Sequence, residues 1–377
     1  MNGRKQKIRL ACVGDILFTD GPGSIATGRG LDALSNECKT LLVGCDLVFA
    51  NLECTLGGTG KVPTEPRLVA TEKQMGSLSE AGVQVVSIGN NHAFDCLDEG
   101  FHKTRSYLER SGIYWCGAGE NLKEAMRPAI LDVGGYRLAF LAVVDSSSEP
   151  YRFAGESASG VAPLDASLIC GLIDTLRDQV DHIIVSPHWG RERFRVPSPQ
   201  QIEQAHLFID AGASMVVGHH PHVIQGLEIY MGAPIAYSLG NFLANNVYWS
   251  DGDFLNWDRP GRTGYILLVD LESDGVCDFQ QVATYDDGIT VHLDKSGYGG
   301  RRIRKANHFL GRGITPSAYN WEVFHVRIIR SILVHMKWSE MRKIRPRHFK
   351  KALSSGCEVA KVLIKQTSQH LLRKFSF

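Results

Sequence analysis

No stretch of the 377 residues reaches the roughly 18 consecutive apolar residues of a membrane-spanning helix. The N-terminal segment has one short apolar run, residues 8–13, interrupted by Arg9. A signal peptide needs an apolar region of roughly 7–15 residues and a small-residue cleavage site, and neither is present. The expectation is a protein that begins at or near Met1 and stays in the cytoplasm. CxxC pairs are also lacking. The nine cysteines (12, 38, 45, 54, 96, 116, 170, 277 and 357) are odd in number, which excludes a regular disulfide framework and a cysteine-built zinc site and suits a reducing compartment. Internal repeats and long low-complexity linkers are absent. With 44% hydrophobic and 21% charged residues, wholesale disorder, collagen-like sequence and coiled coil are excluded.

Net charge is nearly absent too, +1, but it is unevenly spread. Residues 301–377 carry eighteen Lys and Arg against three Glu, a balance of +15, and residues 1–300 are left at −14. Such asymmetry divides the chain into a body, 1–300, and a basic extension, 301–377.

Within the body, apolar runs at 8–13, 45–50, 83–88, 113–116, 127–133, 137–144, 182–186 and 214–217 read as strands. Helical spacing appears at 73–81, 97–111, 165–179 and 199–211. The runs 223–230, 234–238, 264–271 and 278–293 read as further strands. Alternation of this kind predicts an α/β fold with a mixed or second sheet. The Gly-, Arg- and Asn-rich segment 295–320 reads as a loop or boundary, with helical pattern from about 321.

In open α/β sheets ligands collect beyond the carboxyl ends of strands. The residues there are Asp15 after the first strand, Asn51 and Glu53 after the second, and Asn91, His92 and Asp95 after the third. Later strands end at His188 and at the triplet His219, His220 and His222. Oxygen and nitrogen donors without cysteine suit manganese, iron or zinc. Two such ions can act together on a phosphoryl group, and a carboxylate must bridge them; Asp15 and Glu53 are the candidates.

Six motifs occur in order: Gly14-Asp15-Ile16-Leu17, Asn51-Leu52-Glu53, Gly89-Asn90-Asn91-His92-Ala93-Phe94-Asp95, Ser186-Pro187-His188-Trp189-Gly190, Gly218-His219-His220-Pro221-His222-Val223-Ile224-Gln225 and Tyr237-Ser238-Leu239-Gly240-Asn241-Phe242. Over residues 8–245, with weaker support to about 293, the chain resembles the CapA family of bacterial capsule (poly-γ-glutamate) synthesis proteins, in the calcineurin-like metallophosphoesterase superfamily. The resemblance implies a four-layer α-β-β-α sandwich of the metallo-dependent phosphatase type, with one or two divalent ions (Mn, Fe or Zn). It implies Asp15, Glu53, Asn91, His188, His220 and His222 as metal ligands, with His220 and His222 preferred over His219. It further implies His92 as proton donor, with Asp95 orienting its ring. Where the superfamily usually has a His two residues after the first Asp, this chain has Leu17, and Glu53 stands where the superfamily has its bridging Asp.

The implied activity is a metal-dependent, phosphoesterase-like hydrolase in capsule, poly-γ-glutamate or exopolysaccharide biosynthesis. Its substrate would be anionic or phosphorylated, including polymer-linked forms. The alternative is a non-catalytic assembly or polyanion-binding component of the same machinery. The basic extension 301–377 is expected to be mainly helical. Val323, Val326, Ile329, Leu333 and Met336 recur at helical spacing, and a second apolar set lies in 350–377. Basic amphipathic helices suit an anionic membrane surface, which would make the protein peripheral on the inner membrane face. Packing of the extension on the acidic body is the competing expectation. No nucleic-acid partner is expected, since no nucleic-acid-binding motif is present.

Overall fold

The computed structural model describes residues 6–19 and 29–329, with the side chains of 328 and 329 left aside. The elements used below are, in chain order, β1 (Ile8–Leu17), α1 (Asn36–Val43), β2 (Leu47–Leu52), α2 (Glu72–Glu80), β3 (Val85–Ser87), α3 (Leu97–Arg110), β4 (Tyr114–Cys116), β5 (Ala129–Val133), β6 (Tyr136–Val144), α4 (Ala166–Leu176), β7 (His182–His188), α5 (Pro199–Asp210), β8 (Met215–Val217), β9 (Leu227–Tyr230), β10 (Ala233–Ala236), β11 (Asn241–Ala244), β12 (Thr263–Glu272), β13 (Gly275–Asp286), β14 (Val291–Leu293), α6 (Tyr298–Gly311) and α7 (Pro316–Phe324). The protein is a mixed α/β structure with several sheets. The chain falls into two compact units divided after Gly313.

The first unit holds two large sheets. One has strand order β14-β13-β12-β1-β2-β3-β4, with β11 lying against the end of β1; the other runs β9-β10-β8-β7-β6-β5. In the first, the parallel strands β1 to β4 continue on one side into antiparallel strands; in the second, a parallel centre has an antiparallel strand at each edge. Side chains alternate across a strand, so Ile8, Leu10 and Cys12 of β1 enter one apolar cluster while Ala11 and Val13 enter another. The first cluster draws on both sheets, and Phe49 stacks on Phe140 within it at 5.0 Å between centroids. The second cluster includes Cys38 and Leu42 of α1, Met75 and Leu78 of α2, and Phe101 and Leu108 of α3. With both faces of the central strands covered, their sequences read as largely apolar runs.

Local signals set the helix starts. Thr71 with Gln74 and Ser198 with Gln201 form capping boxes ahead of α2 and α5. α1 is not legible in the sequence because it buries only Cys38 and Leu42. The segment 295–320 is corrected from loop to helix. It holds α6, capped by Gly297 at φ +71° and burying Ile303 and Leu310, and the start of α7, capped by Thr315. Position 300, the expected boundary, falls inside α6, which packs on β9, β12 and β13. The run 278–293 is interrupted at Asp287, whose carboxylate accepts from the Ile289 and Thr290 amides and turns the chain between β13 and β14. In the second unit α7 leads into a π-helical turn, His325–Ile329. The rest of the expected amphipathic segment 323–336, and all of 350–377, lie outside the described residues. Among the described residues no helix is long and apolar enough to cross a membrane.

In the first sheet Arg9 and Asp270 sit directly opposite on the neighbouring strands β1 and β12. Arg9 donates to both carboxylate oxygens at 2.7 and 3.0 Å, and Lys7 approaches to 2.9 Å. The hydrogen bond from Arg9, with help from Lys7, outweighs burial and holds the Asp270 pKa at about 2. A depressed carboxyl contributes stability above its unfolded pKa of roughly 4 and loses it as pH falls towards 2. Asp270→Asn is therefore expected to flatten the acid limb of stability between those values. Urea titrations at a series of pH values would check this; an unchanged slope would count against it.

Candidate metal centre

The ends of β1, β2, β3, β7 and β8 converge, and the side chains they carry are almost wholly buried. Asp15, Glu53, His188, His219, His220 and His222 are each at most 3% exposed. Asp15 lies within β1 rather than after it, at an irregularity in the pairing with β2 that turns its carboxylate into the centre. Leu17, two residues on, is buried in the helix-side core.

Asn51 and Asn90 build the floor. Asn51 Nδ2 donates to Asp15 Oδ1 at 2.9 Å and lies 3.4 Å from Glu53 Oε2. Asn90 Nδ2 donates to Asn51 Oδ1 at 3.2 Å and to the Leu52 carbonyl at 2.8 Å. His188 Nε2 is 2.8 Å from Asn91 Oδ1 and 3.6 Å from Glu53 Oε1. His219 Nδ1 sits 3.0 Å from Asp15 Oδ1, and the His220 amide donates to Asp15 Oδ2 at 3.3 Å. His222 Nδ1 is 3.2 Å from Asp15 Oδ2, and its Nε2 is 3.6 Å from Glu53 Oε1. His220 and His222 both adopt positive φ, +96° and +56°. Non-glycine residues in this region carry strain that the surroundings must hold.

Two donor sets result: Asp15, Glu53 and His188, and Glu53, His220 and His222, each with one atom per residue within 4.8 Å of the others. Glu53 belongs to both. The chain leaves Glu53 Oε1 and His220 Nδ1 buried with no hydrogen-bond partner. Orphaned buried acceptors are costly, and a divalent cation would satisfy them. The protonation pattern agrees. Burial, then repulsion from the other histidines, keeps His188 well below its ordinary pKa. Burial lowers His220 to about 4. Both imidazoles are therefore neutral, as ligands must be. Burial opposes the charge on Asp15, but hydrogen bonds from His219 and His222 outweigh it and hold the carboxyl well below the usual range. Burial and the neighbouring Asp15 push Glu53 well above it.

His92 stands at the rim. Its Nδ1 is 2.8 Å from Asp95 Oδ2, which also accepts from the Leu68 amide at 2.6 Å. Burial opposes its protonation, but the Asp95 charge and hydrogen bond outweigh it and raise its pKa. All eight expected site residues thus lie in one region. Sequence reading leaves three others without a role. Asn51 bridges both carboxylates, His219 braces Asp15, and Asn241 meets His222 at 2.9 Å. The Asn51 motif is visible in the sequence, but turn chemistry explains Asn241 there equally well, and only pairing of β11 with β1 brings it to the centre.

A family model described as bacterial capsule synthesis protein PGA_cap matches residues 9–246. The chain is 30% identical over 247 residues to the capsule biosynthesis protein CapA of Bacillus anthracis, covering 63% of this chain and 60% of that protein. It is 29% identical over 272 residues to the PGA biosynthesis protein CapA of Bacillus subtilis, covering 71% and 69%. Among solved structures, a hypothetical protein from Thermus thermophilus matches with a TM-score of 0.47 and 17% identity, over 74% of this chain and 100% of that one.

Proposed function

The chain belongs to the bacterial capsule synthesis protein family PGA_cap, and from that premise we propose that it is a metal-dependent, phosphoesterase-like hydrolase serving capsule, poly-γ-glutamate or exopolysaccharide synthesis. The two Bacillus relatives are named for capsule and PGA biosynthesis, which supports the biological setting. In this reading the paired sheets with their helices are the four-layer sandwich of metallophosphoesterases. The observation that carries the chemistry is the sharing of Glu53 between two buried donor sets, with its Oε1 left unpartnered.

Asp15, Glu53 and His188 would hold one ion, and Glu53, His220 and His222 a second; Mn, Fe or Zn suits these donors. Asn91 lies beside His188 and would add an amide oxygen. A divalent cation bound here supplies Lewis acidity towards a phosphoryl oxygen and towards water. The protein's own part is positional and protonic. Asn51 keeps the two carboxylates apart and aimed inward, and His219 braces Asp15 from the inter-sheet side. His92 holds a proton on the ring nitrogen away from Asp95 and delivers it to the departing oxygen of an anionic ester, with Asp95 keeping the ring in place.

Leu17 favours a second reading. It removes one imidazole from the expected ligand set and spends the position on the core, as a binding component that no longer turns over could tolerate. Metal analysis of purified protein with a panel of phosphomonoesters and phosphodiesters separates the two. At least one ion per chain and measurable turnover under Mn²⁺ are expected. Less than one ion and no turnover would leave the binding role. The basic extension 301–377 would give either activity an anionic partner, such as a membrane surface.

A further inference from the structure

We infer that Asn241 is a positioning residue that, together with Asp15, fixes the tautomer and orientation of His222, leaving the His222 Nε2 lone pair on the side of Glu53 Oε1. The functional meaning of this arrangement rests on the metal-binding reading above.

The position of Asn241 is over-determined by the backbone. β11 runs parallel to β1 with Asn241 in register with Asp15, and the Asp15 amide donates to the Gly240 carbonyl at 3.0 Å. The approach is so close that a Cβ on Gly14 would run into the Gly240 carbonyl oxygen, and one on Gly264 into the Asn241 carbonyl oxygen. Asn241 is 1% exposed, so its amide answers only to protein groups.

The amide can face one way. Nδ2 donates to the Gly261 carbonyl at 2.8 Å, and Oδ1 lies 2.9 Å from His222 Nδ1. A flipped amide would set two oxygens 2.8 Å apart at Gly261, which electrostatics forbids. Oδ1 only accepts, as does Asp15 Oδ2 at 3.2 Å from the same nitrogen, so His222 Nδ1 must carry the proton. A neutral imidazole has one proton, so Nε2 is left as an acceptor. It faces Glu53 Oε1 at 3.6 Å, another acceptor without a partner. The edge contact with Trp257, 5.2 Å between centroids, limits ring rotation on the other side. Partners of this kind commonly set ligand orientation, and losing one typically costs 10–100-fold in metal affinity.

The test uses the full chain with ¹⁵N-labelled histidine. Long-range ¹H–¹⁵N correlation of the metal-free protein at alkaline pH, with His222 assigned by substitution, reads the tautomer directly. Calorimetry with Mn²⁺ or Zn²⁺ alone reads affinity. Wild type is expected to carry the His222 proton on Nδ1. Asn241→Asp, which keeps the acceptor oxygen, should retain that tautomer. In Asn241→Ala the Asp15 carboxylate still accepts from Nδ1, so the tautomer should persist while metal binds roughly 10–100-fold more weakly. A purely packing role for Asn241 would move melting temperature but not metal affinity. A wild-type proton on Nε2 would overturn the inference without any variant, so failure of Asn241→Ala to fold leaves it testable. So would an Asn241→Ala protein with unchanged affinity. Wild type that takes up neither metal, yet carries the His222 proton on Nδ1, supports the inference and overturns the metal reading instead.

Discussion

Glu53→Gln is expected to abolish tight metal binding and, at the same time, to stabilise the metal-free protein at neutral pH. Glu53 is the one side chain common to both donor sets, so its loss weakens both at once. The effect should exceed the 10–100-fold typical of outer-shell partners, and calorimetry with Mn²⁺ would measure it. The gain in stability follows from the same charge. Burial and the adjacent Asp15 carboxylate raise the Glu53 pKa well above its ordinary value. Between the unfolded pKa and this raised value the folded state binds more protons than the unfolded one. Stability therefore falls as pH rises through that window. Glutamine keeps the shape, and its amide never ionises, so the loss disappears. In chelator, thermal melts of the variant should lie above wild type at about pH 8 and converge with it near pH 4, close to the ordinary glutamate pKa. In a unit of this size each kcal/mol is worth roughly 2–4 °C. A variant that binds Mn²⁺ as wild type does, or that melts lower in chelator at the alkaline end, would show that Glu53 is an ordinary buried residue.

His92→Ala should reduce turnover of an alkyl phosphoester by roughly 10²–10⁴, the usual worth of a positioned general acid, while leaving metal content unchanged. An ester with a good leaving group, such as p-nitrophenolate, needs little protonation, so the same variant should lose much less on it. That contrast separates proton donation from damage to the metal centre, which would depress both substrates alike. The pH profile carries an independent sign. Asp95 raises the His92 pKa by its charge and its hydrogen bond, against burial. The acid form is therefore present at neutral pH, and turnover should decline as pH rises through that pKa. Asp95→Asn removes the charge, so this basic limb should move to lower pH. Equal losses on both esters, or a basic limb that stays in place in Asp95→Asn, would remove His92 from the proton-donor role.

Much of this site is legible in the amino-acid sequence. Runs such as 8–13, 83–88 and 182–186 announce buried strands because buried parallel strands are apolar on both faces. Asp15, Glu53, Asn91, His92, His188 and the histidine triplet stand out because polar residues directly after such runs fall at strand ends, where sheets gather ligands. The helices α1 and α6 escape sequence reading for the converse reason. They bury two side chains each, too few to impose a period on the sequence.

The sequence by itself determined which donors are available at the centre: carboxylate, amide and imidazole, with no thiolate among them. It also determined that they would lie at strand ends, although the two sheets that carry them are brought together only by the tertiary structure. Only the tertiary structure decided what each donor does. His219, His220 and His222 are near neighbours in the chain, yet one braces Asp15, one leaves Nδ1 free and one is turned by Asn241. Their ring directions depend on two positive φ values and on partners 19 and 204 residues away. In the same way, a bulge in β1 sends Asp15 into the centre, while Leu17 belongs to the core. Strand ends are written locally, but side-chain direction and proton position are set by contacts between distant strands.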